Sequence, residues 1–235
     1  MAATRERPIL FSGPMVRAIL DNRKTQTRRV VKPPKDHCDD GRPMLYDLSR
    51  AFADNGYLHV PFAHPGDGWQ KQPIDDTRIR HYAPWDEGDL LWVRETWATS
   101  EDIDGRPVMV YRAGGTRLIG PDGESVHHGE HRCTALVTTW RPSIYMPRWA
   151  SRLTLEITAV RVERLKEISE ADAIAEGIVV SDKYAYSPSG VARFRDYDGA
   201  RVSFAELWNA IYAKADRGWD ANPWVWVLAF RRIKP

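Results

Sequence analysis

Cysteine is almost absent from this chain: among 235 residues only Cys38 and Cys133 occur, far apart. Two such residues build no disulfide framework, which excludes the small stapled secreted scaffolds and fits a reducing compartment. Long hydrophobic runs are missing too. No apolar stretch approaches the ~20 residues that cross a bilayer. The charged segment 1–7 is not followed by the apolar region of a secretory signal. A soluble, cytoplasmic protein without membrane attachment is expected. Charge of one sign is also lacking: the formal net charge is +2, which excludes a basic tail-like binder. No glycine loop has the spacing that cradles phosphates, and no internal repeat or low-complexity tract occurs. Lysine is scarce, 8 residues against 26 arginines. Arginine's planar fork suits phosphates and stacked bases, although a GC-rich genome yields the same bias.

What is present is ample material for a core. Hydrophobic residues make up 43% of the chain and tryptophan occurs ten times. Several of those indoles must be buried, while others can offer platforms for bases. Residues 8–11 read as a first strand. Ser12 caps a helix that Pro14 starts and Val16, Ile19 and Leu20 bury, ending near Asn22. Residues 27–31 extend again. Residues 33–86 are rich in proline, glycine and histidine and read as an irregular insertion. Residues 90–97 form a strand after the turn Glu87-Gly88-Asp89. A second irregular insertion, 98–139, holds a possible strand at 108–112. Leu153, Leu155 and Ile157 alternate, then the register flips to Val160 and Val162, so a bulge is expected near Ala159. Ser169-Glu170-Ala171-Asp172 resembles a capping box that Ile168 can staple, and Gly177 closes the short helix. Residues 181–201 read as loop, 204–211 as an amphipathic helix and 224–230 as a closing strand. The expectation is one α+β domain over 1–235. Its core is about 8–31, 87–97, 140–180 and 203–233, with a small barrel-like sheet and helices at its ends.

The chemistry concentrates in Arg23-Lys24-Thr25-Gln26-Thr27-Arg28-Arg29, at a helix-to-strand turn of the kind that projects side chains into clefts. Lys24 and Thr27 can meet on one substrate, with Arg23, Arg28 and Arg29 supplying positive potential. The same residues also suit plain roles: a lysine near a helix end complements the dipole, and Thr-Gln-Thr is ordinary strand sequence. Glu176 stands out because a carboxylate at a helix C-terminus opposes the dipole. Apolar neighbours would raise its pKa and favour proton donation; a surface glutamate is the plain alternative. Residues 140–149 carry too many prolines for a helix interior and form an ordered loop, from which Ser143, Tyr145 and Arg148 can contact base or phosphate. His127, His128, His131 and Cys133, with His37 and Cys38, match no standard zinc spacing, so no metal is assigned.

Taken together, Asn22 to Arg29, Gly88 to Val93, Leu153 to Ile178 and Trp224 to Phe230 resemble the ASCH domain family, whose fold is a PUA-like pseudo-barrel associated with RNA. The pieces around Trp92–Trp97 and Trp140–Trp149 look like the larger ASCH proteins of phages and prophages. The resemblance extends to the bacterial N(4)-acetylcytidine amidohydrolases of this family. It implies Lys24, Thr27 and Glu176 as catalytic residues around one cavity; Arg23, Thr25, Gln26, Arg28, Arg29, Ser143, Tyr145 and Arg148 are the candidate substrate contacts beside them. The implied partner is a nucleoside or nucleic acid, RNA ahead of DNA, and no cofactor is implied. The implied reaction removes an acyl group from N(4)-acylated cytosine. A non-catalytic reader of RNA or modified nucleic acid, and an ASCH-type ribonuclease, are the alternatives.

Overall fold

The computed structural model describes residues 4–32, 45–46, 51–54, 57–63, 79–82, 85–101, 105–119, 125–126, 139–180, 184–186, 192–194 and 199–233. The chain opens with β1 (Glu6–Leu10), α1 (Gly13–Leu20) and β2 (Gln26–Val30). Next come β3 (Leu45–Tyr46), β4 (Phe52–Asp54), β5 (Tyr57–Ala63) and β6 (Ile79–Tyr82). They are followed by β7 (Leu90–Arg94), β8 (Trp97–Glu101), β9 (Pro107–Tyr111), β10 (Thr116–Ile119) and β11 (Ser125–Val126). The last third holds β12 (Thr154–Arg164), α2 (Glu170–Ala175), β13 (Val179–Val180), β14 (Tyr184–Tyr186), β15 (Ala192–Phe194), α3 (Gly199–Tyr212) and β16 (Trp224–Ile233). The architecture is α+β, dominated by strands.

The central sheet runs β1-β7-β12-β16-β2. β1 lies parallel to β7, and the other pairs are antiparallel. Leu155, Ile157, Val225, Val227 and Leu228 are almost fully buried in its middle, so the long β12–β16 pair carries the core. The register shifts between Ile157 and Ala159, the bulge that the flipped alternation predicts. In α1, Pro14 fits the first turn, and Met15, Val16, Ala18 and Ile19 are buried. Asn22, in the left-handed region at φ 56°, turns the chain into β2. Ser12 contributes its backbone carbonyl to the Val16 N–H at 2.9 Å, but its side chain makes no capping bond.

Several expectations are corrected here. The sheet is open: among the described residues no ladder joins its edges β1 and β2. β1 carries Pro8, which has no N–H to donate. The Arg29 guanidinium instead donates to the Leu10 carbonyl at 2.9 Å, so a side chain bridges the edges. The strand expected over 90–97 breaks at Glu95–Thr96. There the buried Glu95 carboxylate takes two bonds, 2.8 and 2.9 Å, from Arg152. The two insertions are not irregular throughout. β3, β4 and β6 all pair with β5, and β8 to β11 form a meander. These strands are short and locally paired, and proline inside β5 and at the start of β9 masks their alternation. The 181–201 loop contains the β14–β15 hairpin, and α3 begins at Gly199. The segment 140–149 is ordered as two 3₁₀ turns, Ser143–Tyr145 and Arg148–Ala150.

Candidate functional site

The α1–β2 turn meets the end of α2. The Thr25 N–H donates to the Ala175 carbonyl at 2.9 Å, and the Thr25 carbonyl accepts from Phe230. Ser169 caps α2 by accepting from the Asp172 N–H at 3.0 Å. The Asp172 carboxylate does not complete the expected capping box; it turns toward the sheet. Gly177, at φ 98°, ends the helix in a conformation that suits glycine, and Glu176 is left facing the turn.

There the Lys24 ammonium donates to the Glu176 carboxylate at 2.6 Å and to the Glu176 carbonyl at 2.9 Å. Both side chains are sealed, at 0% and 4% exposure. Burial, the largest influence, pushes the Lys24 pKa below its ordinary 10.5; the Glu176 charge and hydrogen bond pull it back, and Arg29 and Arg28 lower it further. The pair belongs to a larger network. Arg28, fully buried, reaches Glu163 at 2.6 Å, Glu176 at 3.2 Å and Asp172 at 3.3 Å. Arg161 bridges Asp172 at 2.9 Å and Glu163 at 3.1 Å, and Gln26 donates to the Asp172 carbonyl and carboxylate. Three cations, Lys24, Arg28 and Arg161, thus face three carboxylates, Glu163, Asp172 and Glu176. Desolvation is the largest influence on Asp172 and raises its pKa. The Gln26 hydrogen bond and the Arg161 and Arg28 charges outweigh it and leave the group below 3.8.

Strand alternation divides the remaining residues. Gln26 and Arg28 face α2. Thr27 and Arg29 lie on the opposite face of β2. Thr27 is buried, and its hydroxyl has no hydrogen bond among the described residues. Arg29 packs 5.1 Å from the Phe11 ring centroid, and the Lys24 ammonium lies 5.7 Å from the same ring. Phe11 also lines a cleft of about 570 Å³ with Ser12, Arg29, Trp85, Thr96, Ser143 and Tyr212 among its walls. A neighbouring cleft of about 500 Å³ is walled by Arg29, Val30, Lys32, Trp85, Tyr212, Ala215, Arg217 and Trp226. Lys24 and Thr25 line a third, about 360 Å³, beside Asn22 and Phe230. Thr27 and Glu176 line none of these three.

The structure therefore joins Lys24 to Glu176, sets Thr27 on the reverse face of β2 from the Arg28 network, and puts Arg29 and Ser143 on one cleft. Arg23 is exposed and paired with Asp21 at 2.9 Å. Tyr145 is 73% exposed. Arg148 pairs with Glu6 at 2.6 Å. His37, Cys38, His127, His128, His131 and Cys133 lie outside the described residues. Sequence reasoning missed Arg161, Glu163, Phe11, Trp85 and Tyr212. Only the 161/163 alternation of opposite charges on one strand face carried a signal. No protein-family model, no curated protein and no solved structure matches this chain.

Proposed function

We propose that this chain is a PUA-like ASCH protein that binds a nucleobase and hydrolyses the amide of N(4)-acylated cytosine. The observation that carries the reading is the sealed Lys24–Glu176 contact at 2.6 Å. Moving one proton across it turns an ammonium and a carboxylate into an amine and a carboxylic acid with no change of net charge. That provides a base and a proton donor at once. Lys24 as the amine takes the Thr27 hydroxyl proton, and the Thr27 oxygen bonds to the acyl carbon. Glu176 protonates the cytosine N4 as the C–N bond breaks, and water then hydrolyses the acyl-threonine ester. The Thr27 hydroxyl, which has no hydrogen bond among the described residues, and the lowered Lys24 pKa support these assignments.

The test is hydrolysis of N(4)-acetylcytidine by the intact chain beside Thr27→Val. The valine keeps the side-chain volume and removes a hydroxyl that holds no structural bond, so the fold is retained. The expected loss is about a hundred- to ten-thousand-fold, the usual scale of such groups. The wild-type rate should fall as pH rises through the lowered Lys24 value, below the ordinary 10.5, because losing that proton leaves an amine and a carboxylate with no proton donor. Equal rates for the two proteins would remove Thr27 from the chemistry. One observation favours a second reading, a non-catalytic RNA reader: both Lys24 and Glu176 are sealed from solvent. Wild-type protein that binds cytidine and hydrolyses nothing would select it.

A further inference from the structure

The 570 Å³ and 500 Å³ clefts share Arg29, Trp85 and Tyr212, so they adjoin, with two aromatic side chains and a guanidinium at their seam. The two halves differ in chemistry. The first is walled mainly by apolar residues and hydroxyls: Phe11, Met15 and Leu91 with Ser12, Thr96 and Ser143. The second adds two exposed cations, Lys32 and Arg217. No carboxylate occurs among the described residues that line either half, and neither Lys32 nor Arg217 has a carboxylate partner among the described residues. Arg217 is held in place by its backbone: its carbonyl accepts the Trp208 indole N–H at 2.8 Å. Trp208 in turn packs on Tyr212 at 4.4 Å between ring centroids. An apolar, hydroxyl-edged slot beside aromatic rings suits a base and its sugar. A neighbouring trio of cations without an anion suits phosphate.

We propose that the ligand is a phosphorylated nucleotide, its base and sugar in the Phe11 half and its phosphate against Arg29, Lys32 and Arg217. The inference rests only on the binding part of the reading above, that the ligand carries a nucleobase; Lys24, Thr27 and Glu176 do not line these two clefts, and a free nucleoside leaves the cationic half empty. A mononucleotide and an RNA strand present the same phosphate, so both serve as probes. Isothermal titration of the intact chain compares cytidine, cytidine 5′-monophosphate, cytidine 3′-monophosphate and a cytidine hexaribonucleotide. The expected result is about tenfold tighter binding of at least one phosphorylated probe than of cytidine, the scale of a charge-assisted contact. That preference should fall as salt rises. Tighter hexamer than monophosphate binding identifies a strand as the ligand; equal binding identifies the mononucleotide. In Lys32→Ala/Arg217→Ala, whose sites are exposed and cost little stability, the phosphate preference should drop to about unity. Equal wild-type affinity for cytidine and every phosphorylated probe overturns the phosphate subsite and leaves the nucleobase reading standing. So does a preference that survives in the double variant. Failure to bind any of the four overturns both.

Discussion

At the scale of single residues, burial reverses what a turn position suggests for Lys24. A polar side chain on a turn is ordinarily cheap to trim, but this ammonium is sealed against Glu176. Removing one partner of a buried pair leaves an uncompensated charge, at a cost of about 3–5 kcal/mol. Lys24→Met and Glu176→Leu should each destabilise the chain on that scale in urea unfolding. The double variant should lose clearly less than the sum, because an apolar pair replaces the ionic one. Strict additivity would show that the two groups do not interact. Lys24 and Glu176 each stood out in the sequence, but only the ASCH resemblance suggested that they share one site. The network partners Arg161 and Glu163 did not stand out, because two oppositely charged residues on one strand read as a solvated edge until α2 is laid over them.

At the scale of elements, α2 is six residues long and is positioned by its ends. Ser169 closes the first turn through Asp172. Glu170 reaches forward to the N-terminus of α3, accepting from the Ala200 and Arg201 N–H groups at 2.9 and 3.2 Å. A carboxylate at a helix N-terminus is favourable there. Gly177 fixes the exit. Gly177→Ala at φ 98° forces an L side chain into the left-handed region, which costs about 1–2 kcal/mol. It should also disturb Glu176, lowering the rate on N(4)-acetylcytidine by more than the stability loss explains. Unaltered turnover with the expected loss of stability would uncouple the helix end from the site. The cap, the closing glycine and the β12 bulge were all readable, because each is set by residues adjacent in sequence.

At the scale of the whole molecule, the network ties β2, β12 and α2 together through charge, so acid should loosen the chain. The sign follows from Asp172, which the native structure holds below 3.8. Between that depressed value and 3.8 the unfolded chain binds more protons than the folded one, so stability rises with pH there. The contribution is complete above 3.8 and is lost as pH falls through the folded value. Urea midpoints measured from pH 6 down to pH 2 should therefore fall most steeply below 3.8. Asp172→Asn should flatten that part of the curve, and an unchanged curve would exclude Asp172 as a contributor.

The α+β class, the first helix and second strand, the bulge, the short capped helix and the closing aromatic strand could all be read from the amino-acid order. Those features depend on periodicity and on neighbours within a few residues. That order also singled out Lys24, Thr27 and Glu176. The open sheet with Arg29 bridging its edges, and the placing of Thr27 on the opposite face of β2 from Arg28, emerge only in the folded chain. It alone brought Arg161 and Glu163 to the network and put Trp85 and Tyr212 on the same clefts. The reason is distance along the chain. Lys24 and Glu176 are separated by 152 positions, and Arg28 reaches Glu163 across 135. No local pattern encodes such pairings; strand order and the packing of α2 on the sheet create them.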